Sequence, residues 1–161
     1  MKRASLLFIS FCILVATFEA MAISLSPTHI TGRWRGHHFS PGKCADKGCN
    51  LAFDIVPCGQ GWCGIALGKN DACGAATLTL NAGTAKNEAE LRFEGKLTLA
   101  EGSEPYGVRV DLDPSDPPGD LLLNFVGASE AHFALLDRDF PFSALLVRAG
   151  DAVCKADKSV S

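Results

Sequence analysis

The sequence has no surplus of positive charge and no cluster of it. Fifteen Lys and Arg stand against eighteen Asp and Glu, for a formal net charge of −3. Gripping a phosphate backbone takes a clustered basic face, so nucleic acid is excluded as a partner. Catalytic signatures are also missing. There is no G-x-S-x-G elbow, no H-E-x-x-H pair and no phosphate-binding P-loop. No two cysteines stand at the C-x-x-C spacing of a dithiol redox centre. Internal repeats and low-complexity linkers are absent as well. The expectation is a non-enzymatic protein without a cofactor.

Long apolar runs are scarce, and the one present is at the start. Met1, Lys2 and Arg3 give a positive beginning, residues 6–18 are mostly apolar, and Ala20-Met21-Ala22 follows. This three-part pattern reads as a secretory signal peptide over residues 1–22, with cleavage expected after Ala22. A membrane anchor is the alternative, but the run is shorter than the ~20 residues a spanning helix needs. Cys12 follows the bulky Phe11 inside the apolar run, which does not suit a lipid-attachment site. Residues 23–161 then form one domain with its own core, exported to a periplasm or the outside, with no membrane contact after cleavage.

The cysteines agree with export. Beyond Cys12 there are six: Cys44, Cys49, Cys58, Cys63, Cys73 and Cys154. An even number in an exported chain reads as disulfides. Count alone leaves many pairings open, and local spacing favours one set. Cys44 and Cys49 bracket a turn-like stretch, and Cys58 and Cys63 bracket Gly59-Gln60-Gly61-Trp62, a hairpin tip. Cys73 and Cys154 are left to close a long loop, worth about 4–5 kcal/mol on the chain-entropy model. A metal site is the competing reading. The C-x4-C spacing is wide for a zinc hook, and exported thiols oxidise, so no metal is expected.

Between the glycines and prolines, apolar and polar residues alternate with period two, the mark of strands with one buried face. Strands are expected over residues 30–39, 49–57, 62–68, 73–81, 90–100, 106–112, 121–126 and 142–149. Gly95 marks a bend. Residues 82–89 read as a polar loop, and the three prolines in residues 113–120 cannot join a ladder. Ser129 could cap a short helix through Arg138. Eight short strands suggest an all-β, up-and-down antiparallel barrel, with a two-sheet sandwich as the alternative.

Gly32-Arg33-Trp34 on the first strand resembles the G-x-W signature of lipocalin-like (calycin) barrels. That resemblance implies a tryptophan across one barrel end, with an arginine of the last strand stacked over it, here Arg148. Cys58-Gly59-Gln60-Gly61-Trp62-Cys63-Gly64, followed later by Phe93-Glu94-Gly95-Lys96-Leu97, resembles a bacterial family of small exported proteins of unknown function. Those share G-x-W and a C-G-x-x-x-C-G hairpin on such a barrel. Four further cysteines and the Pro-rich loop depart from that pattern. The resemblance implies fold and location and carries no catalytic residue.

Two binding roles follow. Eight-stranded barrels either fill their interior or hold one small ligand. Phe53, Leu78, Phe93, Val108, Leu123 and Leu146 are the candidate lining of a site for a small apolar molecule, or else an ordinary core. Alternatively, the braced tip offers Gln60 and Trp62 to an exported protein, as inhibitors of extracytoplasmic hydrolases offer a rigid loop. Trp62 would then be an exposed aromatic anchor. His37 and His38 point to opposite strand faces and cannot share a metal. With His29 and His132 they are expected to face solvent. Asp111, Asp113, Asp116 and Asp120 read as turn formers, and Asp137 and Asp139 flank Arg138 in a solvated loop. Intact-mass spectrometry of the exported protein should show Ile23 as first residue and a loss of six hydrogens. Six free thiols would overturn the disulfide reading.

Overall fold

Alternation in the sequence becomes nine strands in the computed structural model, which describes residues 25–87, 90–114, 120–129 and 141–156. They are β1 (Gly32–Phe39), β2 (Cys49–Cys58), β3 (Gly61–Leu67), β4 (Cys73–Leu80), β5 (Thr84–Ala85), β6 (Leu91–Leu97), β7 (Tyr106–Pro114), β8 (Leu121–Ser129) and β9 (Pro141–Gly150). Every pairing is antiparallel. The order runs β4-β3-β2-β1-β9-β8-β7-β6-β5, and β4 also pairs with β6. That last pairing closes eight strands into a barrel and rules out the sandwich. It matches the architecture of a lipocalin-like barrel.

Two-residue β5 extends the path of β4, in the stretch expected to be a loop. Asn81 makes the link: its Oδ1 accepts from Gly83 N and Glu94 N, both at 3.1 Å. Gly95 lies where the barrel closes, opposite Leu80. A Cβ there would run into the carbonyl oxygen of Thr79, so only glycine lets β4 and β6 approach. Ser129 ends β8 instead of capping a helix. The rest of the expected helix, with His132 and Arg138, lies outside the described residues, as do Asp116, Asp137 and Asp139.

Inward side chains form one buried cluster that includes Trp34, Phe53, Phe93, Phe125 and Leu146. A 3-10 turn (Pro27–Ile30) precedes β1 and adds the buried Ile30. The indole of Trp34 donates from Nε1 to Ile30 O at 2.8 Å, so the turn and the tryptophan cap one end together.

Outside the barrel is a second, smaller cluster. Val56 and Ile65 project outward from β2 and β3, and Cys154 packs on them with Ala152 and Ala156. Residues 151–156 thus run as a strap over the outer wall, tied to β4 by Cys73–Cys154. The other disulfides are Cys44–Cys49 and Cys58–Cys63, the pairing that spacing favoured. Three disulfides fit an oxidising, extracytoplasmic setting.

Beneath the strap sits Asp54, outward on β2 and fully buried. Its carboxylate takes a two-pronged bond from Arg33, with Nε at 2.7 Å and Nη2 at 2.9 Å. It also accepts from the backbone N–H groups of Val153 at 2.7 Å and Cys154 at 2.8 Å. Burial alone would raise its pKa. Arg33 and the two strap amides outweigh that and hold it at about 2, against an ordinary 3.8. The folded pKa is depressed, so this stability is present above pH ~4 and is lost as pH falls towards 2. It amounts to on the order of 2 kcal/mol. Asp54→Asn should therefore flatten the acid limb of the stability–pH profile in urea melts, and Asp54→Ala should cost about 3 kcal/mol at neutral pH. An unchanged acid limb in Asp54→Asn would remove Asp54 from this role.

Candidate functional site

The six residues expected to line a ligand site all turn inward. Phe53, Leu78, Phe93, Val108, Leu123 and Leu146 are buried and belong to one packed cluster with Trp34 and Phe125. Here they serve as one another's packing partners. Space opens instead at the rim. A cleft of about 190 Å³ lies between Leu51, Phe53, Leu97 and Leu99, with Asn50, Thr77 and Thr98 at its polar edge. It is smaller than the ~300–1,000 Å³ of ordinary ligand sites. A wider, open cleft of about 660 Å³ runs beside the strap between Thr31, Pro57, Arg148 and Lys155.

The hairpin tip differs from its expected form. Gln60 is exposed, but Trp62 is only 7 % exposed and joins the core. Position 62 falls on the inward face of β3, paired with Leu80 on β4. Its Nε1–H finds no acceptor among the described residues. The exposed aromatic anchor expected at this tip is therefore absent, because the ring fills the barrel end.

The signature residues meet at the opposite edge of the same end. Arg148 is directly across the ladder from Trp34. Its guanidinium donates from Nη2 to Thr31 O at 3.3 Å and to Asp151 at 3.0 Å. Among the described residues the ring contacts are His38–Phe142 and Tyr106–Phe142, so the stack of Arg148 over Trp34 is not one of them. Gly32 is required for another reason. A Cβ there would lie 2.8 Å from Arg148 Nε and 3.0 Å from Gly150 O, at a φ of +153°.

His37 and His38 do face opposite ways. His37 is exposed, but His38 is 7 % exposed, which corrects the expectation that the histidines face solvent. The His38 ring stacks on Phe142 with centroids 5.6 Å apart. Burial lowers its pKa and keeps the imidazole neutral. His29 is exposed and spends Nδ1 accepting from Ser26 N at 2.8 Å. One group of possible metal donors stands out: His38, Cys44 and Cys49, whose donor atoms all lie within 4.8 Å of one another. Both sulfurs are joined in a disulfide.

Asp111 and Asp113 lie on β7 and are not turn formers, and Asp111 has an arginine partner while Asp113 Oδ1 is buried without a hydrogen bond among the described residues. Asp111 takes Arg92 Nε at 2.7 Å and Nη2 at 3.1 Å, and that pairing lowers its pKa. Burial, then Glu90 and Asp111, push Asp113 up. Asp120 is exposed.

Sequence reasoning missed one surface. Outward positions of β8 are Leu122, Asn124, Val126 and Ala128; those of β9 are Pro141, Ser143, Leu145, Val147 and Ala149. None is charged. Leu145 is 53 % exposed and Val147 47 % exposed, and Leu122 pairs with Val147 across the ladder. The signal was present as apolar residues on both phases of the alternation in residues 121–126 and 144–147.

No protein-family model, curated protein or solved structure matches the chain. Urea melts of Gly32→Ala should show a loss of roughly 2 kcal/mol. In an Arg148→Ala background the loss should shrink by more than ~0.5 kcal/mol, since the two side chains compete for one space. Simple additivity would contradict that account.

Proposed function

We propose that the protein is an exported, non-enzymatic binding module that meets a protein partner on the outer wall of its barrel. One observation carries this reading: the interior is filled by its own side chains, while β8 and β9 present nine adjoining outward positions without a charge. Contiguous apolar surface on a small soluble protein marks an interaction site more often than chance exposure. Charged and polar groups frame the wall on both sides. Arg35 and His37 stand beside it on β1, and Arg109, Asp111 and Asp113 on β7. This arrangement gives an apolar centre and a polar rim, the usual anatomy of a recognition patch. The signal-peptide pattern read in residues 1–22 and the three disulfides support export. The resemblance to small exported bacterial barrels rests on Gly32, Trp34 and the Cys58–Cys63 hairpin.

A second reading keeps the small apolar molecule, held at the rim. The cleft between Leu51, Phe53, Leu97 and Leu99 favours it. Two measurements separate the readings. Copurification of the tagged protein from the exported fraction should recover a partner that is lost with Leu145→Glu. Loss of one central contact of ~2 kcal/mol corresponds to about 30-fold in affinity. The thermal midpoint should hold, because exposed substitutions change stability by less than ~0.5 kcal/mol. Native mass spectrometry should show no bound small molecule. A ligand mass abolished by Leu97→Trp, with no captured partner, would transfer the assignment to the rim cleft.

A further inference from the structure

The cluster at the far end of β1 is built like a metal site that oxidation has closed. His38 ends the inward row of β1, and Cys49 opens β2 directly across from it. Cys44 reaches back from the connecting loop to the same point, so three donor atoms gather within 4.8 Å. His38 and Cys44 are buried, and Cys49 is half-buried. The imidazole is already fixed, stacked on Phe142 and 3.5 Å from the Ser40 hydroxyl. The Cys44 and Cys49 Cα atoms are 5.2 Å apart, so both sulfurs serve one centre once unlinked.

We propose that reduction of the Cys44–Cys49 disulfide unmasks a site for a thiophilic d10 cation, with zinc(II) held by His38, Cys44 and Cys49. The donor set is one imidazole and two thiolates, a soft, borderline combination that zinc accepts at four-coordinate geometry with one position left for water. A dithiol reductant opens the site. Its thiolate attacks the sulfur of Cys49, the more exposed residue of the pair, the Cys44–Cys49 bond breaks, and Cys44 leaves as thiolate. The second thiol of the reductant then displaces Cys49 and closes the reductant's own disulfide. Two electrons pass from the reductant to the protein sulfurs. Zinc binding keeps both as thiolates and releases any protons they carry. A disulfide oxidant reverses the exchange: it takes two electrons from the Cys44 and Cys49 thiolates, is itself reduced to two thiols, and the re-formed Cys44–Cys49 bond releases zinc(II), so the loop of residues 40–48 acts as a redox-gated holder.

Among the described residues the other disulfides lack such a partner. Among the described residues, His38, Cys44 and Cys49 are the one group of three potential donors gathered in this way. The loop disulfide is also short-range, with a sequence separation of 5 against 81 for Cys73–Cys154, so opening it releases little chain.

The test uses the exported chain, treated with limiting dithiol and then with zinc(II), with iodoacetamide labelling read cysteine by cysteine. Reduced protein should bind one zinc per chain and shield Cys44 and Cys49 from alkylation. His38→Phe keeps the ring on Phe142 but removes the nitrogen. It should bind on the order of 100-fold more weakly in a chelator competition. The Cys44→Ser, Cys49→Ser double variant should bind none. Circular dichroism recorded alongside should keep its strand signal. Equal affinity in His38→Phe, shielding at other cysteines, equal binding by the oxidised protein, or a chain that unfolds on opening and holds no zinc would each overturn the proposal.

Discussion

A carboxylate on the outside wall of a small barrel ordinarily faces water. Asp54 does not, and much of the molecule is arranged around that fact. A buried charge costs several kcal/mol unless it is paired and hydrogen-bonded. Here Arg33 supplies two donors and the strap supplies two backbone amides. The same strap covers Val56 and Ile65, which would otherwise be apolar residues on an open sheet face. Cys73–Cys154 then holds the strap in register with β4. Arg33 reaches further, to Asp71 at 3.0 Å, and Arg35 bonds the same carboxylate, so β1 is clamped to the loop before β4. Strap, β1, β2 and β4 are thus tied through one ionised group.

This outer lock changes what the interior has to do. Trp34 and the turn at Pro27–Ile30 cap one end, Trp62 fills space beside β4, and the aromatic rings of Phe53, Phe93 and Phe125 pack between them. A barrel so filled is a rigid body, and its chemistry moves to surfaces and rims. Two places are then the proposed sites of function. The β8–β9 wall is uncharged and mostly apolar, with Asn124 and Ser143 as its polar positions. The His38 cluster sits at the end where β1 turns into β2. The first is the wall proposed for a protein partner, the second the site proposed for a metal once its disulfide is reduced.

Strand positions were largely legible because each depends on local alternation. In β2, Leu51, Phe53 and Ile55 face in and Asp54 faces out, as the pattern requires. Disulfide pairing was legible for the two short loops, where chain length limits the options. The failures share a cause. Alternation gives the two faces of a strand without saying which is inside, and on β3 it is Ile65 and Leu67 that turn outward to the cluster under the strap. Trp62 was placed at an exposed tip, yet one residue of register carries it into the core. His38 was taken as solvent-facing with His37, although two neighbours on a strand point to opposite faces, and it is His38 that turns in.

The sequence by itself determined the class of structure: period-two patterning yields strands, glycines and prolines set their limits, and six cysteines imply an oxidising compartment. These are properties of neighbours along the chain. Tertiary structure decided closure, burial and proximity. The β4–β6 pairing, the strap over Asp54, the filled interior and the meeting of His38 with Cys44 and Cys49 join residues whose relation depends on barrel register and strand tilt. The energy that selects them comes from burying side chains against distant partners, and no local pattern records it.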